Sequence, residues 1–229
     1  MTVSSLNPQF LLRTPRIRAA IKATVSAVNT PLAKVRARRA FAAAPRPMKL
    51  EIGGLLPRDG WVITNVNATT RNYLDCTATW PVEDAAASYI FSDNVIEHIP
   101  LAAGRAMLAE AYRVLQPGGV IRLVTPDIKK HVELYLAGSA STQTDVAKEY
   151  RDMGLVVEHS IDLIRIPIGS FGHHEGYVYD FEVLEQELKR AGFHSVVQCE
   201  MGESEHEALR GIDFRLAQEG AQIVVEATR

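Results

Sequence analysis

Residues 89–127, YIFSDNVIEHIPLAAGRAMLAEAYRVLQPGGVIRLVTPD, leave this chain few ways to fold. Ser88 to Phe91 are apolar or small and read as a buried strand, with Ser92-Asp93-Asn94 as its polar exit. Met107, Leu108, Ala111, Val114 and Leu115 then recur at the three- and four-residue spacing of an amphipathic helix. Pro117-Gly118-Gly119 is expected to stop that helix, because proline cannot continue it and glycine tolerates a left-handed turn. Val120 to Val124 reads as a second strand, apolar except for Arg122. Strand, helix, turn and strand make one right-handed crossover of a parallel sheet. Ligands of such sheets sit beyond the carboxyl ends of the strands. Functional weight therefore falls on Ser92, Asp93, Asn94, Glu97 and His98 after one strand, and on Thr125 and Asp127 after the next.

The flanking sequence extends this unit. Met48 to Ile52 reads as a first strand running into Gly53-Gly54, where glycine lets backbone approach a ligand closely. Gly60-Trp61-Val62-Ile63 looks like the second strand already, so the helix between the two is truncated. Lys129 to Leu136 continues as a helix, Gly138 to Thr144 is small and polar and is expected to be a mobile loop, and residues 145–170 have mixed helical character. Asp180 can cap a helix carrying Leu184, Leu188 and Ala191 and closed by Gly192. Gln222 to Ala227 reads as a terminal, antiparallel strand. A chain of 229 residues accommodates one such domain plus an appendage.

The appendage is basic. Ten of the 25 lysines and arginines precede Glu51, the first acidic residue, which leaves 15 against 27 acidic residues in the remainder. Residues 1–15 are expected to be irregular, and Ile17, Ile21, Val25 and Val28 have helical spacing. Thr30-Pro31 reads as an N-cap and first position of a second short helix ending near Phe41, with Ala-Pro-Arg-Pro (44–47) as a stiff linker. Packing of this arm on its own acidic domain, as a cap over the substrate side, is the first expectation; contact with an anionic membrane surface is another. An arm with only two aromatics, Phe10 and Phe41, on an acidic body, argues against nucleic acid. Cys76 and Cys199 form neither a disulfide framework nor a metal-ligand spacing. With no apolar run near ~20 residues, a soluble cytoplasmic protein is expected.

The phrases FSDNVIEHI and AEAYRVLQPGGVIRLVTPD, at this spacing, resemble the core of class I S-adenosylmethionine-dependent methyltransferases. The likeness covers roughly residues 48–229, with YDFEVLEQELKRAGFHSVVQCEMGES as the late helix and strand pair. The resemblance implies an α/β fold: a Rossmann-like, seven-stranded, mostly parallel sheet with an antiparallel terminal strand. The division is an arm over 1–47 and a methyltransferase domain over 48–229, with a cap-like insertion at about 137–178. It places S-adenosylmethionine against Glu51, Gly53 and Gly54. The glycine pair followed by Gly60-Trp61 is similar to the shortened arrangement of small methyltransferases associated with polysaccharide assembly. Where most of the family holds the cofactor ribose with an acidic residue, this chain offers Asn65 or Asn67, whose other reading is plain turn chemistry. Asp75, with Cys76 or Thr77, matches the adenine position, and Ser92, Asp93 and Asn94 also fall to the cofactor.

An alcohol acceptor must lose its proton, and histidine is the usual base near neutral pH. The candidates are His98, just past a strand, and the adjacent His173 and His174 between glycines. Asp127 and Tyr177 are candidate substrate contacts. No metal is expected, because the 173–174 pair lacks a carboxylate at clear ligand spacing. A sugar hydroxyl is the expected acceptor, with a small molecule or lipid, or a non-catalytic scaffold, as alternatives.

Overall fold

The computed structural model describes residues 15–67, 70–213 and 221–229, with side chains from Asn29 onward. The expected irregular segment over 1–15 lies almost wholly outside those residues.

The sheet has six strands among the described residues, not seven. They are β1 (Met48–Ile52), β2 (Val62–Thr64), β3 (Ala87–Asp93), β4 (Leu115–Pro126), β5 (His194–Cys199) and β6 (Gln222–Thr228), in the order β2-β1-β3-β4-β6-β5. The first four pair in parallel, and β6 runs antiparallel between β4 and β5. Beyond β2, where one more strand could pair, a lone bridge joins Asn65 to Tyr73. The segment that follows is rich in turn formers (Asn72, Asp75, Thr77, Pro81), so pairing stops there.

Leu50, Ile52, Ile90 and Ile121 point from one face of the sheet into the main core. They meet α2 (Leu101–Val114), which buries Met107, Leu108, Ala111 and Val114, and α6 (Phe181–Ala191), which buries Leu184 and Leu188. Arg105 of α2 and Glu187 of α6 close that pair with two 2.8 Å hydrogen bonds. Asp180 caps α6 by accepting from Val183 N at 2.8 Å, and Gly192, at φ 108°, ends it in the left-handed conformation. The opposite face carries a smaller cluster of Phe91, Val120, Val124, Leu209, Ile212 and Val224.

Helix α2 ends at Val114, ahead of the proline. Leu115 already pairs with Ala87, and Pro117-Gly118-Gly119 is a bulge inside β4 before pairing resumes at Val120. Gly118 N donates to Arg229 O (2.8 Å) and Arg229 N to Gly119 O (2.9 Å), so the last residue of the chain pins the bulge.

The arm is one helix, α1 (Pro15–Ala42), with Pro31 inside it; the expected break at Thr30-Pro31 does not occur. An internal proline costs up to about 3 kcal/mol. Here good helix formers follow it, and Ala33, Ala37 and Phe41 are buried in the main core. Arg36 donates to Thr70 O at 2.9 Å and Arg46 pairs with Glu83 at 3.3 Å. The arm thus packs on its own domain, as its charge suggests, but its contacts fall on the 70–86 segment.

After β4 come α3 (Ile128–Leu136), α4 (Asp145–Asp152) and α5 (Asp162–Gly169), around a cluster of Val146, Ala147, Leu163, Ile166 and Ala221. The expected loop at 138–144 is an ordered 3₁₀ turn over Gly138–Gln143 with Ser141 and Thr142 buried. Its hydroxyls donate to carbonyls three residues back, which lets small polar side chains be buried at little cost.

Candidate active site

Two clefts open at the carboxyl ends of the parallel strands. The first, about 520 Å³, is lined by Glu51, Gly53, Gly54, Arg58, Phe91, Asp93, Asn94 and Ile212 among others. Gly53, at φ 77°, makes the turn out of β1; a Cβ there would sit 2.4 Å from Val95, and one on Gly54 2.6 Å from Ile63 and 2.7 Å from Glu51. The glycine pair is therefore required by how tightly this turn folds on its own strands. Buried Glu51 pairs with Arg58 at 3.0 Å, and Arg58 continues across the cleft, 5.8 Å over the Phe91 ring and onto Ile212 O at 3.2 Å. On the other side of the Gly54–Arg58 wall lies an adjoining cleft of about 410 Å³ that reaches Asn65, Asn67, Thr70 and Asn72.

A further cavity, about 390 Å³, lies against helices α4 and α5. Its lining includes Asn94, His98, Pro126, Glu149, Tyr150, Phe171, His173 and Gln222. Asn94 belongs to both this cavity and the glycine cleft. It holds a left-handed backbone (φ 49°), which asparagine tolerates, and its N–H donates to Val124 O at 2.9 Å, fixing it between β3 and β4.

The histidines divide. Phe171 (φ 59°) and Gly172 (φ 90°) turn the chain so that His173 enters the cavity wall, buried, while His174 is exposed and does not line it. His173 Nδ1 donates to Pro167 O at 2.7 Å, which leaves Nε2 as the basic nitrogen. His98 lies edge-on to His173 with ring centroids 4.6 Å apart. Burial lowers the pKa of both rings, and for His98 the neighbouring His173 adds to it, so both are neutral near pH 7.

Several expected residues have other duties. Asn65 Nδ2 donates to the carbonyls of Gly53 (3.3 Å) and Gly54 (3.2 Å), and its Oδ1 accepts from Asn67 N (3.1 Å), so this amide holds the glycine turn. Asp75 forms a turn onto Thr77, Cys76 is buried in the core and Ser92 is buried beneath the cleft; none of the three lines it. Asp127 caps α3 through Lys129 N, and burial raises its pKa. Tyr177 is half-buried against Tyr179 and donates its N–H to Glu97 O; neither it nor Asp127 lines the cavity. Sequence reading missed Glu149, Tyr150, Phe171 and Gln222, which carry no motif. Tyr150 is positioned by buried His131, whose Nδ1 meets Asp127 O (2.9 Å) and whose Nε2 accepts from the tyrosine hydroxyl (2.7 Å).

Residues 62–123, spanning β2 to most of β4, match the family model described as a methyltransferase domain. The match covers 62 of the 229 residues, so β2 to β4 are similar to a methyltransferase domain, on a sheet of Rossmann-like order. No curated protein sequence matches the chain significantly. Among solved structures, it is similar to the CurJ carbon methyltransferase at 16% identity and TM-score 0.45, covering 82% of this chain but only 50% of that one. A possible histamine N-methyltransferase from Thermotoga maritima has 15% identity and TM-score 0.44, over 92% of this chain and 96% of that one. A SAM-dependent methyltransferase from Archaeoglobus fulgidus has 13% identity and TM-score 0.45, over 87% and 94%. No helix among the described residues is long and apolar enough to cross a membrane.

Proposed function

We propose that this chain is an S-adenosylmethionine-dependent O-methyltransferase whose acceptor is a sugar hydroxyl, as in the small enzymes associated with polysaccharide assembly. The carrying observation is that the glycine cleft and the cavity against α4 and α5 meet at Asn94. A donor in one and an acceptor in the other face each other across that residue. The glycine cleft fits the cofactor by size and by its mixed lining, with Glu51, Asp93 and Asn94 offering acceptors for an amino group and Phe91 and Ile212 an apolar surface. S-adenosylmethionine supplies the activated methyl group. The protein aligns the acceptor oxygen and takes its proton. Neutral His173, with Nδ1 committed to Pro167 O, presents Nε2 as the base, and His98 stands beside it. Glu149 and Gln222 can bond hydroxyls while the rings of Tyr150 and Phe171 can cover the C–H face of a sugar.

The test is turnover with labelled cofactor on a panel of sugar acceptors, beside calorimetry with S-adenosylhomocysteine. His173→Ala is expected to cut turnover by about 10²-fold or more with product affinity nearly unchanged. No binding of S-adenosylhomocysteine at millimolar concentration overturns the enzymatic reading in favour of a scaffold.

A further inference from the structure

Glu97, His98 and His173 each present one ligand atom, and those atoms lie within 4.8 Å of one another. The carboxylate absent beside the 173–174 pair thus comes from a residue 76 positions earlier in the chain, brought in by the fold. Glu97 is fully buried and His173 nearly so, whereas the His98 side chain is 39% exposed.

Two of the three are oriented by a partner of their own. His173 donates Nδ1–H to Pro167 O at 2.7 Å. His98 has its Nδ1 on the Gly172 side and its Nε2 4.0 Å from Glu97 Oε1. Thr125 Oγ1 donates to Glu97 Oε2 at 3.1 Å. An imidazole tied to a backbone carbonyl through one nitrogen and a carboxylate steadied by a hydroxyl are the outer-shell contacts that fix ligands around a metal.

We propose that Glu97, His98 and His173 bind one divalent transition-metal ion, of the zinc or cobalt class, at the wall of the cavity against α4 and α5. Two imidazoles and one carboxylate suit that class rather than magnesium or calcium, which prefer all-oxygen sites. Bonds of about 2.0–2.1 Å in a tetrahedral arrangement put ligand atoms about 3.3 Å apart, so the three groups close by roughly an ångström on binding. Because His98 and His173 line the cavity, the fourth position opens towards it, where water or an acceptor oxygen completes the sphere. With the ion bound, the two imidazoles serve as ligands, and the base role given to His173 belongs to the metal-free protein.

The inference is independent of methyl transfer, and its test reads metal directly. The untagged full-length chain, stripped with chelator and dialysed, is titrated with Co²⁺ and followed by visible absorption and by calorimetry. The expected result is saturation at one ion per chain, displacement by Zn²⁺, no competition by Mg²⁺, and a higher melting temperature in Zn²⁺. His98→Ala, His173→Ala and Glu97→Gln each weaken binding about tenfold or more, while His194→Ala, on exposed β5, leaves it unchanged. Should Glu97→Gln fail to fold by circular dichroism, half-exposed His98→Ala carries the test. Absence of visible bands and of saturable heat overturns the site, as does binding that survives the His98→Ala/His173→Ala double variant. Failure of S-adenosylhomocysteine to bind, by contrast, touches only the methyl-transfer reading.

Discussion

The approach of the 171–177 segment to the start of the Glu97-His98 turn hangs on one missing methyl group. Gly176 has ordinary backbone angles (φ −100°, ψ −155°), so alanine is conformationally allowed and would by itself stabilise the fold by about 0.4–1 kcal/mol through the unfolded chain. Space decides the sign. A Cβ on Gly176 would stand 1.9 Å from Glu97 O and 2.8 Å from the carbonyl carbons of Glu97 and His98. Carbon–oxygen contacts settle near 3.3–3.6 Å, so two backbones must part by about 1.4 Å. That movement breaks the 3.2 Å hydrogen bond from Tyr177 N to Glu97 O and separates the two rings now 4.6 Å apart. A lost backbone hydrogen bond of about 1 kcal/mol and overpacking of about 1–3 kcal/mol sum to roughly 2–4 kcal/mol. A displacement of an ångström at the reacting groups costs about 10²-fold in turnover. Gly176→Ala is therefore expected to lower the urea midpoint and to cut turnover about a hundredfold, with S-adenosylhomocysteine affinity preserved because the glycine cleft is built on β1 and β3. Wild-type turnover and midpoint in this variant would refute the packing argument and, with it, the pairing of the two histidines.

Asn65→Asp separates two roles. If Asn65 holds the glycine turn, the new carboxylate faces the Gly53 and Gly54 carbonyls and weakens S-adenosylhomocysteine binding about tenfold or more; tighter binding by calorimetry would instead make it a ribose contact. Arg122→Met strips the partner from buried Asp213 and Glu226, which lie 2.8 and 2.6 Å from the guanidinium, and should destabilise by about 3–5 kcal/mol in urea titration. Hydrogen bonds from Arg105 and Arg113 hold the carboxyls of Glu187 and Glu110 below the usual carboxylate range. Their contribution is complete above the unfolded carboxylate pKa and is lost as pH falls through the lower folded value. Urea midpoints of the wild type should thus drop more steeply below about pH 4.5 than those of Glu187→Gln.

The strands from β1 to β4 were legible because each holds a short apolar run bounded by turn residues, though the PGG motif lies inside β4 and does not mark its start at Leu115. The arm's continuity was not: proline after threonine looks the same at a helix start as inside a helix, and only the burial of Ala33, Ala37 and Phe41 on the core distinguishes them. The 138–144 segment misled because hydropathy does not register hydroxyls satisfied by their own backbone. At the site, Gly53, Gly54, Asp93, Asn94, His98 and His173 could be read from position after a strand or within a glycine-flanked loop. Glu97 was marked by its place after β3, but its meeting with His173 is made by tertiary contact and has no local signal. Arg122 stood out as the charge in an apolar strand, yet its partners lie 91 and 104 residues away, beyond any local pattern.

That arginine also shapes the glycine cleft from below. Its guanidinium, fully enclosed, reaches Asp213, Glu226 and the carbonyls of Glu200 and Glu203. These contacts tie down the segment that presents Ile212 to the cleft. Charges sealed from solvent are screened far less by dissolved ions than those on the surface. The floor of the glycine cleft should therefore keep its shape from dilute buffer to concentrated salt, while the exposed Arg46–Glu83 tether of the arm loosens over the same range.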